Sequence, residues 1–404
     1  MSTATVREQP NEEPPSYPNF SDTEIAFQNK TDKELIQTYR LFRLMNHSFL
    51  VDAGSVLSKL ALRFRVPFVE SAMKATIFKQ FCGGINLVDC QEVIDHLYSH
   101  NTLTILDYGA EAKTDEEELD KTAEELMKAV DFAASNNSVP VVSSKLTALV
   151  DNDLLIKKQN KEEFSRHETK QYNRFVERID SVCARAKELG VGVFIDAEES
   201  WMQDPMDELV RELMKRYNKD QVIVYNTYQL YRHDKLAQLK ADYEEAKREG
   251  YKLGAKLVRG AYMEKERERA KELGYPSPIQ PDKESTHRDF NEAVLFCLDR
   301  YEDVGLCNAS HNLESVKLMV EEIVARNIPR NHPNVNFCQL QGMSDYISFN
   351  LSQAGFNTAK YVVYGPVKDV IEYLIRRAEE NTAVTGEMSR ELSLIAAEKK
   401  RRGL

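Results

Sequence analysis

Several features are scarce or missing in this 404-residue sequence, and each absence excludes a class of protein. A net charge of −11 means that the chain lacks the basic surplus of a dedicated nucleic-acid binder. Its six cysteines form no C-x-x-C pair and no signal peptide precedes them, which predicts a reducing, cytoplasmic setting. The longest apolar stretch, residues 48–62, is short and interrupted by Asp52 and Lys59, so no integral membrane segment is expected.

The composition that remains is typical of a globular protein, with 42% apolar and 29% charged residues. Residues 1–30 mix Pro, Glu, Ser and Asn with few apolar anchors, so they predict a poorly ordered tail. Thr31-Asp-Lys-Glu34 is a capping box, the pattern that opens a helix. It predicts a helical arm over residues 31–100.

Two interpretations of this arm remain open, because its cations interleave with apolar residues. The arm is either a surface that touches anionic lipid or a helical layer packed on the main domain with its cations extended toward water. His96 and His100 share a helix face, but no third ligand accompanies them, so no metal site is predicted. The cations are Lys59, Arg63, Arg65, Lys74 and Lys79.

From residue 102 onward, short apolar runs alternate with helical patterns. Eight buried parallel strands are predicted at 102–107, 139–146, 191–196, 221–227, 254–259, 304–309, 334–340 and 359–364. Helices are predicted at 115–135, 162–189, 206–217, 234–249, 285–300, 313–326, 344–353 and 368–381. This alternation predicts a (β/α)8 TIM-type barrel over residues 101–385, followed by a C-terminal helix and basic tail over 386–404.

A dinucleotide-binding fold is the alternative for alternating strands and helices, and the sequence argues against it. Its closest glycine motif, Gly190-Val-Gly192, precedes a strand and lacks the third glycine. In a barrel, catalytic groups belong at the carboxyl ends of the strands, and these ends are rich in polar residues. They are Asp107, Lys145, Asp196, Gln229, Arg259, Ser310-His311-Asn312, Gln339 and Tyr364.

The last predicted barrel helix carries a group that suits a small zwitterion. Tyr373, Arg376, Arg377 and Glu380 are spaced so that they can share one face. The arginines suit a carboxylate, the Glu an amine and the Tyr an apolar ring. An exposed helix with Arg376 paired to Glu380 is the plainer interpretation. Lys145 adds either a third cation or a Schiff-base lysine.

The stretch Lys256-Leu-Val-Arg259-Gly260-Ala261-Tyr262 suggests a second ligand. It removes side-chain bulk at a strand end and places cations beside it, as phosphate binding requires, although Gly260 also fits a plain turn. The Pro-rich run Tyr275–Pro281 predicts a lid or cofactor flap.

Ordered motifs along the chain resemble the proline dehydrogenase family, most closely its monofunctional, eukaryotic-like form. They cover about residues 100 to 385. The motifs are Lys145-Leu-Thr-Ala-Leu149, Phe194-Ile-Asp-Ala-Glu198, Gln229-Leu-Tyr231, Lys256-Leu-Val-Arg-Gly-Ala-Tyr-Met263, Ser310-His-Asn312, Gln339-Leu-Gln-Gly-Met343, Tyr364-Gly-Pro-Val367 and Tyr373-Leu-Ile-Arg-Arg377.

The resemblance implies a barrel that binds FAD noncovalently and oxidises L-proline to Δ1-pyrroline-5-carboxylate by hydride transfer from C5 to the flavin N5. It implies that Arg376, Arg377 and Lys145 hold the carboxylate and that Tyr364, Tyr373 and Leu340 enclose the ring. By the same resemblance, Glu380 and Asp196 support the arginines and tyrosines, and Glu111 is a gate that pairs with an arginine. The implied flavin contacts are Gln229, Lys256, Arg259, Gly260, Ala261, Tyr262, Thr286, Ser310, His311, Asn312 and Gln339.

The resemblance also implies partners. Electrons would pass to a membrane quinone, and the product to a separate pyrroline-5-carboxylate dehydrogenase, because the chain ends at Leu404 without a second domain. The basic run Lys399–Arg402 either contacts lipid at the inner face of a membrane or only complements a helix end. No nucleic-acid partner is expected.

Three rival functions remain. Hydroxyproline dehydrogenase resembles this barrel closely, but the bulky phenol of Tyr364 should crowd a ring hydroxyl, which favours proline. A Schiff-base aldolase would use Lys145 as its nucleophile. A barrel that serves only as a scaffold would bind neither flavin nor proline.

Overall fold

The computed structural model describes residues 17–46, 69–109, 113–383 and 387–404. Its contacts divide the chain into two compact units. The terminal unit comprises Met1–Gly109 and Cys338–Leu404, and the central unit comprises Ala110–Phe337. Glu111, assigned as a gate, lies outside the described residues.

Parallel strands form the sheet, and they are largely buried because helices cover a parallel sheet. Their pairing order is β1-β9-β2-β3-β4-β5-β6-β7-β8, and β9 also pairs with β8. Strands β2 to β9 alternate with helices, which confirms the predicted (β/α)8 barrel. The strands are β1 (Cys82–Gly84), β2 (Leu103–Tyr108), β3 (Val141–Lys145), β4 (Gly192–Asp196), β5 (Val224–Gln229), β6 (Leu253–Val258), β7 (Val304–Ala309), β8 (Val335–Leu340) and β9 (Thr358–Tyr364).

The helices follow the predicted pattern with additions at both ends of the chain and inside the barrel. Those of the arm and the C-terminus are α1 (Thr23–Phe27), α2 (Asp32–Met45), α3 (Val69–Met73), a π-helical turn (Lys74–Phe78), α4 (Lys79–Phe81), α5 (Leu87–Ser99) and, at the other end, α16 (Glu387–Arg401). Those of the barrel are α6 (Glu116–Ala134), α7 (Asn152–Gln159), α8 (Arg166–Leu189), α9 (Ser200–Tyr217), α10 (Lys235–Glu249), α11 (Met263–Leu273), α12 (Lys283–Leu298), α13 (Leu313–Ala325), α14 (Asp345–Gln353) and α15 (Ile371–Ala383).

Local sequence signals explain where these helices begin and end. The predicted capping box at Thr31 and Glu34 is present in α2, and Ser165 with Glu168 forms another in α8. Helix α8 ends at Leu189 and is followed by Gly190 as C-cap, whose φ of 72° is a left-handed conformation that glycine adopts without strain.

The predicted tail over residues 1–30 is wrong for its described part. Residues 23–27 form helix α1, which Asp22 caps and whose Phe27 is fully buried. The arginine Arg402 of α16 donates to the Phe27 and Lys30 carbonyls, both at 2.8 Å. This segment is therefore structured despite its few apolar residues, because long-range hydrogen bonds from α16 hold it in place.

Strand β1 is an addition that the sequence pattern did not predict. It pairs with β9, with Cys82 opposite Val363 and Gly84 opposite Tyr364. A Cβ at Gly83 would come within 2.5 Å of Val362 Cγ1, so glycine permits the close approach of this strand.

The two histidines of the arm both lie against backbone carbonyls. His96 Nε2 lies 2.7 Å from the Asn29 carbonyl, and His100 Nδ1 lies 2.9 Å from the His96 carbonyl. No cluster of metal-ligating side chains is found among the described residues. Within that same part of the chain, no helix is both long and apolar enough to cross a membrane.

Candidate active site

The central unit brings together two of the predicted site residues at the ends of β3 and β4. Lys145 and Asp196 are register partners in these neighbouring strands. Asp196 Oδ1 accepts from Lys256 Nζ at 2.6 Å and from Ser143 Oγ at 3.1 Å. Lys256 is buried, so this ion pair compensates a desolvated charge. The support that Asp196 was expected to give the arginines and tyrosines stays a prediction.

A buried carboxyl that sequence reasoning missed lies two residues beyond Asp196. Both oxygens of Glu198 are 2.7 Å from Thr147 Oγ1, and Thr147 lies in the short 3₁₀ helix, Leu146–Ala148, that follows β3. Burial raises the pKa of Glu198 to about 7. The negative charge of Glu199 also raises this pKa, whereas the hydrogen bond from Thr147 and the positive charge of Lys145 lower it. The motif Phe194–Glu198 is part of the family resemblance, but no pattern in it signals a buried acid.

Gln229 at the end of β5 supplies a test of the implied cofactor. Its Nε2 donates to the Glu198 carbonyl at 3.0 Å. Its Oε1 is buried and meets no hydrogen-bond partner among the described residues. A buried acceptor of this kind calls for a ligand donor, and the ring N–H of a flavin is one. The residue therefore fits the flavin contact implied by the resemblance.

Arg259, at the end of β6, is held in place by a polar cluster. Its guanidinium donates to Ser310 Oγ at 2.6 Å, to Ser315 Oγ at 2.9 Å and to His287 Nδ1. The carbon of the guanidinium lies 4.3 Å from the centroid of the Phe290 ring. Burial, then the Arg259 charge, lowers the pKa of His287, so a neutral imidazole accepts from the arginine. His287 and Ser315 were not predicted as site residues.

Gly260 and Ala261 present an exposed backbone beyond Arg259. Gly260 has a φ of +135°, and a Cβ there would come within 2.4 Å of the Tyr231 ring. Tyr231 N also donates to the Arg259 carbonyl at 2.8 Å. The tyrosine thus supports the strand end from behind, and glycine leaves the other side accessible to a ligand backbone or phosphate.

Helix α11 begins after Tyr262, where sequence reasoning placed only a loop. Its Glu266 is fully buried and accepts from the Ser200 N–H and hydroxyl, both at 2.6 Å. The Trp201 ring packs against Arg269, at 4.5 Å, and Lys265, at 5.5 Å. Helix α11 is therefore fixed to the start of α9, and the Pro-rich run follows it.

The remaining predicted flavin contacts of the central unit lie at the starts of helices α12 and α13, where Asn312 is the N-cap of α13. Asn312 Oδ1 accepts from Ser315 N at 3.0 Å, and Ser310 Oγ accepts from Asn312 N at 3.1 Å. Thr286 Oγ1 lies 3.3 Å from the Asp282 carbonyl in the first turn of α12. His311, which lies between Ser310 and Asn312 in the sequence, is half-buried. Their flavin contacts stay predictions.

The terminal unit holds the other predicted substrate residues. Tyr364 ends β9 fully buried, with its ring centroid 5.4 Å from that of Tyr108. In α15 the guanidinium of Arg377 is buried 5.1 Å from the Tyr373 ring centroid, as the i, i+4 spacing predicts. Arg376 is half-buried on the same helix, and the side chain of Glu380 lies outside the described residues.

The end of β8 supplies the last two predicted residues. Gln339 is buried and its Oε1 accepts from Ser348 Oγ at 2.9 Å. Leu340 is half-buried at the last position of the strand.

Comparison with known proteins gives relatives of the expected kind. Proline dehydrogenase 1, mitochondrial, of Dictyostelium discoideum is 32% identical over 94% of this chain and 74% of the relative. The Drosophila melanogaster protein of the same name is 39% identical over 58% of this chain, which spans only 36% of that relative. Hydroxyproline dehydrogenase of Xenopus laevis is 31% identical over 95% of this chain and 90% of its own length.

The solved structure of proline utilization A from Bdellovibrio bacteriovorus, inactivated by N-propargylglycine, has the same fold. It matches with a TM-score of 0.70 and 21% identity, over 89% of this chain and 38% of that chain.

These relatives overturn one expectation. The cytoplasmic location predicted from the cysteines and the missing signal peptide is contradicted, because the relatives from Drosophila and Dictyostelium are both named mitochondrial. Scattered free cysteines fit any reducing compartment, so they could not distinguish the two locations.

The match to a family model is broader than any single motif. The model described as proline dehydrogenase covers residues 90–390, well over half of the chain. The chain therefore belongs to the proline dehydrogenase family.

Proposed function

We propose that this chain oxidises L-proline to Δ1-pyrroline-5-carboxylate, with FAD as cofactor and a quinone as electron acceptor. The observation that carries the proposal is the buried guanidinium of Arg377 stacked on Tyr373 in α15. A desolvated cation beside an aromatic ring suits a carboxylate attached to a small apolar ring. Proline offers both groups.

In the proposed complex, the side chains bind and orient the substrate instead of attacking it. Arg376, Arg377 and Lys145 hold the carboxylate, and Tyr364, Tyr373 and Leu340 enclose the ring. Fixing the ring removes much of the entropic barrier to transfer from C5. Closing apolar walls around the amine favours its neutral form, whose lone pair the oxidation requires.

The flavin is held by the residues at the ends of β5, β6, β7 and β8. Gln229 offers its free acceptor oxygen, Gly260 and Ala261 offer open backbone, and Lys256 and Arg259 supply positive charge. FAD, when bound, supplies the acceptor for the hydride. Tyr262, Thr286, Ser310, His311, Asn312 and Gln339 complete the proposed contacts, and His311 serves there as a contact, not a base.

The visible absorption spectrum of the purified protein tests this function directly. Flavin bands near about 450 nm that bleach when L-proline is added without air are the expected result. A colourless protein that takes up no added FAD would contradict the proposal. Borohydride trapping with substrate then tests the aldolase alternative, because only a Schiff base on Lys145 is reduced to a stable adduct.

Hydroxyproline is the second candidate substrate, because the Xenopus laevis relative is named for it. Tyr364 is fully buried against Tyr108, which supports a strong preference for proline. Tyr364→Ser is expected to gain hydroxyproline activity by making room for the hydroxyl. Comparable kcat/KM values of the unaltered protein for both substrates would contradict the preference.

A quinone acceptor requires access to lipid, so we propose a peripheral membrane contact. In the basic run, Arg401 and Arg402 both bind Glu398 and Lys399 lies 4.2 Å from the Tyr39 ring centroid, while Lys400 is exposed and can face lipid. Cosedimentation with anionic vesicles at low salt is expected, and its absence with proline-reduced protein would remove the contact. The product would pass to a pyrroline-5-carboxylate dehydrogenase.

A further inference from the structure

The loop that follows β8, residues 341–344, is held by side chains from distant parts of the terminal unit. It comes directly after Gln339 and Leu340 and leads into helix α14. Gln80, in helix α4 of the arm, donates from Nε2 to the Gly342 carbonyl at 2.8 Å. A Cβ at Gly342 would meet the Gln80 carbonyl at 2.1 Å, so this contact depends on glycine.

A buried lysine of β9 holds the same loop from a second side. Lys360 is fully buried, and its Nζ donates to the Met343 carbonyl at 2.6 Å and lies 3.5 Å from the Leu340 carbonyl. It also pairs with Asp345 at 2.8 Å, and Asp345 pairs with Lys30 at 3.2 Å. The loop therefore lies in a desolvated network of charges.

Helix α16 supplies the third side through Glu391, which is 4% exposed. Its Oε2 accepts from Ser344 N at 2.9 Å, and its Oε1 lies 3.4 Å from Asp345 N. Ser344 makes no side-chain cap for α14 and has a left-handed φ of +51°. Glu391 thus satisfies N–H groups that a local cap would otherwise satisfy.

Helix α14 transmits this support to the end of β8. Ser348, one turn into the helix, donates to Gln339 Oε1 at 2.9 Å. A continuous set of contacts therefore runs from Glu391 through the start of α14 to Gln339, with Leu340 next in the chain.

We propose that Glu391 is a positioning residue for the active site, which caps α14 and thereby fixes the β8 loop behind Gln339 and Leu340. The proposal rests on the proposed function for the identity of its ligands, proline and flavin. Its structural half, the capping of α14 by a helix remote in sequence, does not depend on that function.

The test compares Glu391→Ala, Glu391→Gln and Glu398→Ala. Glu398 is a matched carboxylate on the same helix that binds Arg401, Arg402 and Thr23. Amide hydrogen exchange over residues 341–348 is measured first, because it needs neither substrate nor activity. Glu391→Ala is expected to speed this exchange about tenfold, as loss of a cap does, while Glu398→Ala leaves it unchanged.

Steady-state kinetics with proline form the second measurement. Glu391→Ala is expected to raise KM about tenfold with a smaller loss of kcat, because misplaced Leu340 and Gln339 weaken the enclosure of the ring. Glu391→Gln keeps one acceptor oxygen and should restore most of the effect. Unchanged exchange in Glu391→Ala, or equal acceleration in Glu398→Ala, would overturn the proposal. A wild-type protein without proline oxidation would refute the proposed function alone, since the exchange result still decides the capping.

Discussion

Glu198 carries its carboxyl group in surroundings that favour the protonated form. Burial is the largest cause, and it raises the pKa to about 7, although Thr147 donates to both oxygens. Because the folded protein holds this proton more tightly than the unfolded chain does, the contribution to stability is complete below the unfolded pKa. It is lost as the pH rises through about 7.

The Glu198→Gln variant removes this titration. As the pH rises from about 4 to about 8, the unfolding free energy of the wild type should fall by about 3 kcal/mol relative to the variant. Urea denaturation at a series of pH values measures the difference. The exposed Glu117→Gln serves as control and should keep the wild-type slope. Parallel profiles for wild type and Glu198→Gln would show that Glu198 does not titrate in this range.

Gly260 allows a second prediction, because its conformation and its surroundings both exclude a side chain. Gly260→Ala places a Cβ within 2.4 Å of the Tyr231 ring at a φ of +135°, so it should cost about 1–3 kcal/mol of stability and weaken flavin uptake. Gly250→Ala is the matched control, since its φ of +68° is also positive but nothing lies within 4 Å. Thermal unfolding and flavin content are measured for both. Equal losses in the two variants would show that conformation alone matters.

The sequence predicts the structural roles of some single residues but not of others. Tyr373 and Arg377 were predicted to share a helix face, because i, i+4 spacing determines the face once the helix forms. Glu198, His287 and Glu391 were missed. Their roles come from burial and from partners distant in sequence, and a charged residue carries the same letter whether exposed or buried.

The sequence pattern did not predict helix α11, and its distribution of charged residues explains why. Its residues Met263–Leu273 are charged on nearly every face, and only Glu266 and Ala270 are buried. A pattern that is polar all round does not indicate which face packs. The helix is instead fixed by the hydrogen bonds of Glu266 and by the cations on Trp201.

Removing this attachment is expected to loosen α11 and the segment before it, residues 259–262, which we propose to contact the flavin. Glu266→Ala leaves the Ser200 N–H and hydroxyl without their buried acceptor, so it should cost about 2–4 kcal/mol of unfolding free energy and lower FAD affinity. Denaturant unfolding and flavin titration measure the two effects. Glu264→Ala on the same helix, where the side chain is 83% exposed, should change neither. If Glu266→Ala keeps the FAD affinity of the wild type, α11 does not support the cofactor site.

The barrel strands were predicted to within a few residues, because a strand covered on both sides must be apolar along its length. Strand β1 escaped prediction for the converse reason. Its three residues, Cys-Gly-Gly, are too few to show a pattern, and the glycines serve close approach instead of apolar packing.

For the molecule as a whole, the alternation of strands and helices was enough to predict the fold class. That the two ends of the chain are structured could not be predicted in this way. Residues 17–30 gain their structure from α16, where Arg402 donates to the Phe27 and Lys30 carbonyls. Contacts across hundreds of residues leave no periodic signal in either segment.

Arg402→Ala tests this dependence. Loss of two carbonyl contacts and of the pairs with Glu398 and Asp32 should reduce stability by about 1–3 kcal/mol and expose residues 17–30 to proteolysis. Limited proteolysis followed by mass spectrometry locates the cleavage. Lys400→Ala, which removes an exposed cation of the same helix, is the control and should remain resistant. Unchanged resistance in Arg402→Ala would assign the order of α1 to its buried Phe27 instead.

The packing of Trp201 gives the protein a built-in optical probe. It is the only tryptophan in the sequence, and the side chains of Arg269 and Lys265 in α11 lie against its ring. Indole emission responds to nearby charge and to water, so the emission spectrum of the whole protein reports one place, the junction of α11 with α9. A shift in that spectrum on adding a ligand would therefore register the movement of a single helix, without any label.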